Sequence, residues 1–261
     1  PASERPHPYD SKRLPNLREY ATKKLNPNES FIFEATDEKN HGTSPATAGY
    51  FWRRRESYNR PDPTSGGVSY SYAQFYYRWQ WWQDNREAWR GFVLDTIERL
   101  RPAQVYSGFA MATPLEFGAH AEVSVWERAL TPRFYGLDIN DVFTMSAGTS
   151  DDISRGIRAP TWAFFLSNPW REKLALSRAQ VREHLNHPQV SVTECGNGQW
   201  IELGKQPELY PVEDGVPELP VLLNKLLKPI RSRNLNLGGL AQWDGDPNER
   251  FTKADAQRWM G

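Results

Sequence analysis

The chain predicts an α+β fold, and three features of the sequence say so. Strand-like alternation and helix-like periodicity follow one another as strand, helix, strand, helix, once on each side of the stretch Leu130–Leu166. The two runs do not form an alternating series of parallel βαβ units, which argues against a doubly wound sheet. At 261 residues the chain is long enough to bury one substantial core. The expected organisation is an irregular N-terminal arm over 1–29 and one compact α+β unit over 30–261, with similar halves at about 30–150 and 151–261.

The arm carries Pro1, Pro6, Pro8, Pro15 and Pro27 among charged residues, a composition that builds no core of its own. Ser30–Ala35 (SFIFEA) and Gly49–Arg55 (GYFWRRR) alternate like short strands. From Val68 to Trp82 the run VSYSYAQFYYRWQWW fits both periods, and its aromatic composition favours a strand buried on both faces. Asp84 or Asn85 caps a helix that runs to Leu100, with Trp89, Phe92, Val93, Ile97 and Leu100 on one face and Pro102 as its stop. Val105–Ala112 is a second strand, and Phe117–Leu130 a second helix with Val123, Trp126, Ala129 and Leu130 inward.

After the joint, Thr161–Leu166 reads as a strand and Pro169–Leu185 as helix, broken where Ser177 and Gln180 form a capping box. Gln189–Glu194 and Gln199–Leu203 flank Gly196-Asn197-Gly198 as a hairpin. Glu218–Leu227 is a helix ended by Pro229, and Thr252–Met260 a short capped one.

Composition excludes several classes. Lysine plus arginine and aspartate plus glutamate both number 32, so no bulk charge draws the chain to nucleic acid or an acidic membrane. No apolar run approaches the length of a membrane span. A single cysteine, Cys195, leaves no internal disulfide framework and fits a reducing compartment.

Local motifs for chemistry are weak. His184 and His187 with Glu183 have metal-pair spacing but no third ligand, and read as helix-end histidines. Asp244, Asp246, Asn248 and Asp255 follow calcium-loop spacing, yet Glu249 stands where the loop needs glycine. Cys195 has no histidine partner at a catalytic spacing, and Asp151 and Asp152 are adjacent loop residues rather than an acid and a base. No catalytic set, metal or cofactor is expected. Charge is nonetheless unevenly spread. Asp138, Asp141, Asp151 and Asp152 share a loop without Lys or Arg. Glu194, Glu202, Glu208, Glu213, Asp214 and Glu218 face Lys205 alone, while Arg53-Arg54-Arg55 and Arg60 cluster elsewhere. The two acidic segments form a candidate patch for a basic partner.

One set of residues resembles a known family. Leu100-Arg-Pro102, the small-residue strand Tyr106-Ser-Gly108-Phe-Ala110, and Arg133-Phe134 with Gly136-Leu137-Asp138 come first in order. Gly156-Ile157-Arg158 ahead of Trp162–Leu166, Pro207-Glu-Leu209 and Leu226-Leu-Lys228-Pro229-Ile230-Arg231 follow. In their order and spacing these are similar to the DUF3396, or TsiV, group of type VI secretion immunity proteins. The resemblance implies a non-enzymatic bacterial antitoxin that binds a cognate effector toxin, with a nuclease domain the expected partner. It also implies action in the cytoplasm, without direct nucleic-acid or membrane binding. A nuclease cleft must carry positive potential to attract phosphates. The expected contacts are therefore Asp151, Asp152, Glu213 and Asp214, with Trp81 and Trp82 as candidate aromatic anchors. A competing reading is a nucleic-acid- or carbohydrate-binding module that uses the aromatic strand and the Arg53–Arg55 cluster.

Overall fold

The computed structural model describes residues 31–40, 42–53, 71–112, 114, 117–139 and 156–231, where helices and strands mix as α+β. The arm over 1–29 and the helix expected from Thr252 lie outside these residues.

An antiparallel meander comes first: β1 (Phe31–Thr36), β2 (Ala48–Arg53) and β3 (Tyr72–Tyr76), in that spatial order. Alternation sets its register, Phe33 opposite Phe51 and Gly49 opposite Phe75. One face carries an aromatic chain, with the Phe51 and Phe75 rings 5.1 Å apart.

The strand expected to reach Trp82 stops at Tyr76. Arg78 is extended, and Trp79–Asp84 forms helix α1. A strand would place Trp79 and Trp82 on opposite faces, whereas helical spacing stacks them with centroids 5.1 Å apart. It also stacks Trp81 on Tyr77 at 4.7 Å. Packing of these rings overrides the β-propensity of the composition.

Helix α2 (Arg86–Leu100) follows as expected and ends in a left-handed Arg101 just before Pro102. Its inward stripe is narrower than the sequence suggests: Trp89 and Ile97 are buried, but Phe92 and Leu100 are exposed. Phe92 meets Phe75 edge-on at 5.0 Å and so ties the meander to α2. The single strand expected over Val105–Ala112 is two, β4 (Gln104–Ser107) and β5 (Phe109–Ala110). Helix α3 (Phe117–Leu130) has the expected bounds but a rotated inner face. Val123 and Glu127 are buried, whereas Trp126 is 59% exposed. The 123/127 and 123/126/130 rows are both helical neighbours, and hydrophobicity alone selects the wrong one. Glu127 is not left without a partner.

Two short strands follow, β6 (Phe134–Tyr135) and β7 (Leu137–Asp138), the latter parallel to β5. Then come β8 (Ala163–Ser167), α4 (Asn168–Lys173) and α5 (Arg178–His184). The break between the two helices is the predicted capping box, with Ser177 Oγ accepting from the Gln180 N–H and Gln180 Oε1 from the Ser177 N–H. The hairpin is β9 (Val190–Cys195) and β10 (Gly198–Leu203). Next are β11 (Tyr210–Pro211), a 3-10 turn at Val212–Asp214, and α6 (Glu218–Leu227).

The main sheet has the antiparallel order β4-β8-β10-β9. Every residue of β8 and β10 is buried, which fits central strands covered on both faces. On one face α2 reaches across: the Trp89 and Trp200 rings lie 6.5 Å apart, Arg90 Nε bonds Glu202 Oε2 at 3.0 Å, and Cys195 Sγ contacts the Leu94 carbonyl. The residues one step out of phase, Glu194 and Gln199, face α5, where Arg178 bonds both Glu194 and, through its carbonyl, Gln199. Trp82, Trp89 and Trp162 form a mutual set with centroids 5.5–5.8 Å apart, and α6 adds Leu219, Leu223, Leu226 and Leu227 to the core. Among the described residues no helix is long and apolar enough to cross a membrane.

Candidate functional site

Side-chain partners divide the carboxylates of the two acidic segments into structural and available ones. Asp138 is buried and paired with the buried Arg158, whose guanidinium also donates to the Ile139 carbonyl at 3.1 Å. The Tyr106 ring lies 4.1 Å from that guanidinium, and the Tyr106 hydroxyl accepts the Arg158 backbone N–H at 3.1 Å. Burial pushes the Asp138 carboxyl up, opposed by the charge and hydrogen bond of Arg158. Glu202 is buried on Arg90, and Glu194 is clamped by Arg178 and Arg182. The acidic patch expected from the sequence therefore loses Asp138, Glu194 and Glu202 to internal pairing.

Four carboxylates are exposed on the segment from Glu208 to Glu218: Glu208, bonded to the Tyr210 hydroxyl, Glu218, 3.9 Å from His187, and Glu213 and Asp214 on the turn between them. This segment is held by the residues that open the joint. Tyr210 and Pro211 of β11 pair with Tyr135 and Phe134 of β6, and the Val212 N–H donates to the Arg133 carbonyl at 3.0 Å. Gly136, at φ +88°, makes the approach possible. A Cβ there would run into the Glu208 carbonyl, and the conformation itself disfavours other residues. Glu213 and Asp214 then sit on the 3-10 turn, which Gly215 closes at φ +94° through a 3.2 Å bond to the Val212 carbonyl. The Tyr210 hydroxyl is pushed up to about 12 by partial burial and by its hydrogen bond to, and the charge of, Glu208.

The other sequence-selected residues are placed as follows. Trp81 is 40% exposed on α1, while Trp82 is buried within the tryptophan set and presents no surface. Asp151 and Asp152 lie outside the described residues, as do Asp141, Arg54, Arg55, Arg60 and the Asp244–Asp255 segment. The ends of the segment that carries Asp151 and Asp152 are described. Leu137–Ile139 directly follow β6, and Gly156–Arg158 return beside β4, with Gln104 Nε2 on the Gly156 carbonyl and the Ile157 N–H on the Ile230 carbonyl at 2.9 Å. Glu213 and Asp214 are thus tied to β6, and the segment begins beyond the next strand, β7. His184 is exposed with Nδ1 on the Gln180 carbonyl, and His187 Nε2 lies 3.9 Å from Glu218 Oε1. Cys195 is partly buried, with its thiol pushed up by burial and Glu98. Among the described residues no group of three or more His, Cys, Asp or Glu could hold a metal ion.

Sequence reasoning missed Leu209 and Val216, exposed apolar residues within the acidic segment. A two-residue strand has no periodicity to announce it, and the only local signals are the glycines and prolines that frame the turn.

Comparison with known proteins agrees with this chain's motifs. The Pseudomonas aeruginosa T6SS protein PA0821 superposes over 94% of this chain with a TM-score of 0.76 at 22% identity, and this chain spans 64% of that chain's length. At that identity the likeness speaks for a shared fold. No curated protein matches the chain. The model of the family described as TsiV, type VI immunity for VRR-NUC, matches residues 3–261, nearly the whole sequence. By that match the chain belongs to the TsiV family of type VI immunity proteins.

Proposed function

We propose that the chain is the antidote to a VRR-NUC nuclease effector of a type VI secretion system, binding the effector and occluding its nuclease domain without chemistry of its own. The observation that carries the reading is the pairing of family membership with a fixed, solvent-facing group of carboxylates. A nuclease attracts phosphates, so its cleft presents cationic groups. Glu213 and Asp214, on a turn anchored to β6, offer carboxylates to them, with Asp151 and Asp152 as further contacts. Opposite potentials speed encounter more than they deepen affinity, which suits an inhibitor that must act before damage accumulates. The producing cell's cytoplasm, where the nuclease meets DNA, is the compartment this function requires.

The test is to reverse Asp151, Asp152, Glu213 and Asp214 to lysine together and measure association with the effector's VRR-NUC domain at low and high salt. The expected result is a lower on-rate and a flatter salt dependence. Unchanged affinity with unchanged salt dependence would sink the assignment of these carboxylates.

A further inference from the structure

Exposed apolar side chains mark the place where the proposed antidote carries more than charge. Among the described residues, Trp81, Phe92, Leu100, Trp126, Leu209 and Val216 are the large apolar side chains left in solvent. Leu209, 42% exposed, and Val216, 65% exposed, are the two that fall inside the acidic segment. Between Glu208 and Glu218 the chain has four carboxylates and no Lys, Arg or His. Leu209 flanks a strand that is already paired, and Val216 follows a turn already closed by Gly215.

The segment is also stiff. Pro207, Pro211 and Pro217 fix three backbone angles, the β11–β6 pairing fixes the middle, and Pro207 is buried. A surface that is rigid before binding loses little conformational freedom on binding.

We infer that Leu209 and Val216 are the apolar anchors of the effector interface, framed by Glu208, Glu213 and Asp214, and that they insert against an apolar floor beside the cationic groups of the nuclease. This rests on the antidote reading and deepens it. The carboxylates set how fast the partner is captured, and the two apolar side chains set how long it is held. The occupant is a basic protein surface, because a segment with four carboxylates and no cation repels nucleic acid and other polyanions. Of the two tryptophans expected as anchors, Trp82 is interior and Trp81 remains partly exposed on α1.

Two variants separate anchoring from charge. In Leu209→Asp/Val216→Asp the segment gains negative charge and loses its apolar surface, and in Glu213→Lys/Asp214→Lys the negative charge is reversed while the apolar surface stays. Both alter exposed positions, and thermal melting of each verifies the fold. Binding kinetics are measured with the full chain and the VRR-NUC domain of its cognate effector. We expect the aspartate pair to dissociate at least about tenfold faster, with an on-rate no lower than the parent's because its added carboxylates also steer the partner. The lysine pair should associate more slowly at low salt, with its off-rate changed much less. If the aspartate pair binds as tightly as the parent, or more tightly, charge alone governs the surface and the anchors are wrong. If the parent chain itself neither binds nor inhibits the nuclease, the antidote reading falls and takes this assignment with it. Sedimentation of the chain alone covers the remaining occupant: a concentration-dependent dimer abolished by the aspartate pair would assign the surface to a second copy and overturn the proposal.

Discussion

Arg158 illustrates how much of this molecule rests on single side chains. Its guanidinium is taken from water, bonded to Asp138 and Ile139 and stacked on Tyr106, while its Nε has no hydrogen-bond partner among the described residues. A pair of this kind recovers its desolvation only when both members are present. Asp138→Asn should therefore lower stability by about 3–5 kcal/mol, measured by denaturant unfolding. Asp138→Leu combined with Arg158→Met should regain most of that loss, because two apolar side chains leave no buried charge behind. The tyrosines add a pH dependence. In the folded chain Tyr106 and Tyr210 both hold their protons more tightly than a free tyrosine, Tyr106 through burial and Tyr210, at about 12, through burial and Glu208. A raised pKa gives stability that is complete below the ordinary value of 10.0 and is lost as pH rises through the folded value. The melting temperature should fall from about pH 10 upward, and Tyr210→Phe should make that fall shallower. A Tyr210→Phe chain with an unaltered alkaline profile would remove Tyr210 from the explanation.

Among the elements, those with a complete local signature are also the ones the sequence identifies most sharply. The Ser177–Gln180 box, the hairpin around Gly196-Asn197-Gly198 and the helix Glu218–Leu227 stand where residue pattern places them, because cap, turn and leucine stripe are all local chemistry. Ser177→Ala should cost about 1 kcal/mol through the lost cap, read as a drop in the denaturation midpoint with an unchanged slope. The aromatic run before α2 was ambiguous for the opposite reason. Tyr77, Trp79, Trp81 and Trp82 satisfy either period, and the choice is made by Trp89 on the next helix and by Trp162, distant in sequence, against which Trp82 packs. β6 and β11 are too short to show any period at all. Their pairing depends on Gly136, and Gly136→Ala should loosen β11 by placing a methyl against the Glu208 carbonyl. Faster amide hydrogen exchange at Val212, whose N–H bonds Arg133, would report it.

At the scale of the molecule, β8 and β10 with the tryptophans around them form the frame. Trp200 is fully buried between α2 and the sheet, and Trp200→Ala should cost about 3–5 kcal/mol, a large share of the roughly 5–15 kcal/mol that holds a typical domain folded. Of the frame, β8 is legible as an apolar run of strand length and β10 through the hairpin glycines beside it. The surface was less so, since net charge is zero and the sequence cannot tell which carboxylates are consumed internally. Asp138, Glu194 and Glu202 look like Glu213 and Asp214 on paper, and only their cationic partners, 12 to 112 residues away, set them apart.

The bond between Asp138 and Arg158 ties together two points separated by 20 positions. Whatever lies between them is fastened at one buried knot, with Tyr106 beneath it and Ile157 secured to Ile230 alongside. Once the ends of a loop are fixed, its length weighs little, since doubling it adds only about 0.6 kcal/mol of closure entropy. With the ends held by this knot, changes of length or sequence between them should leave the sheet and the tryptophans in place, read as an unchanged melting temperature.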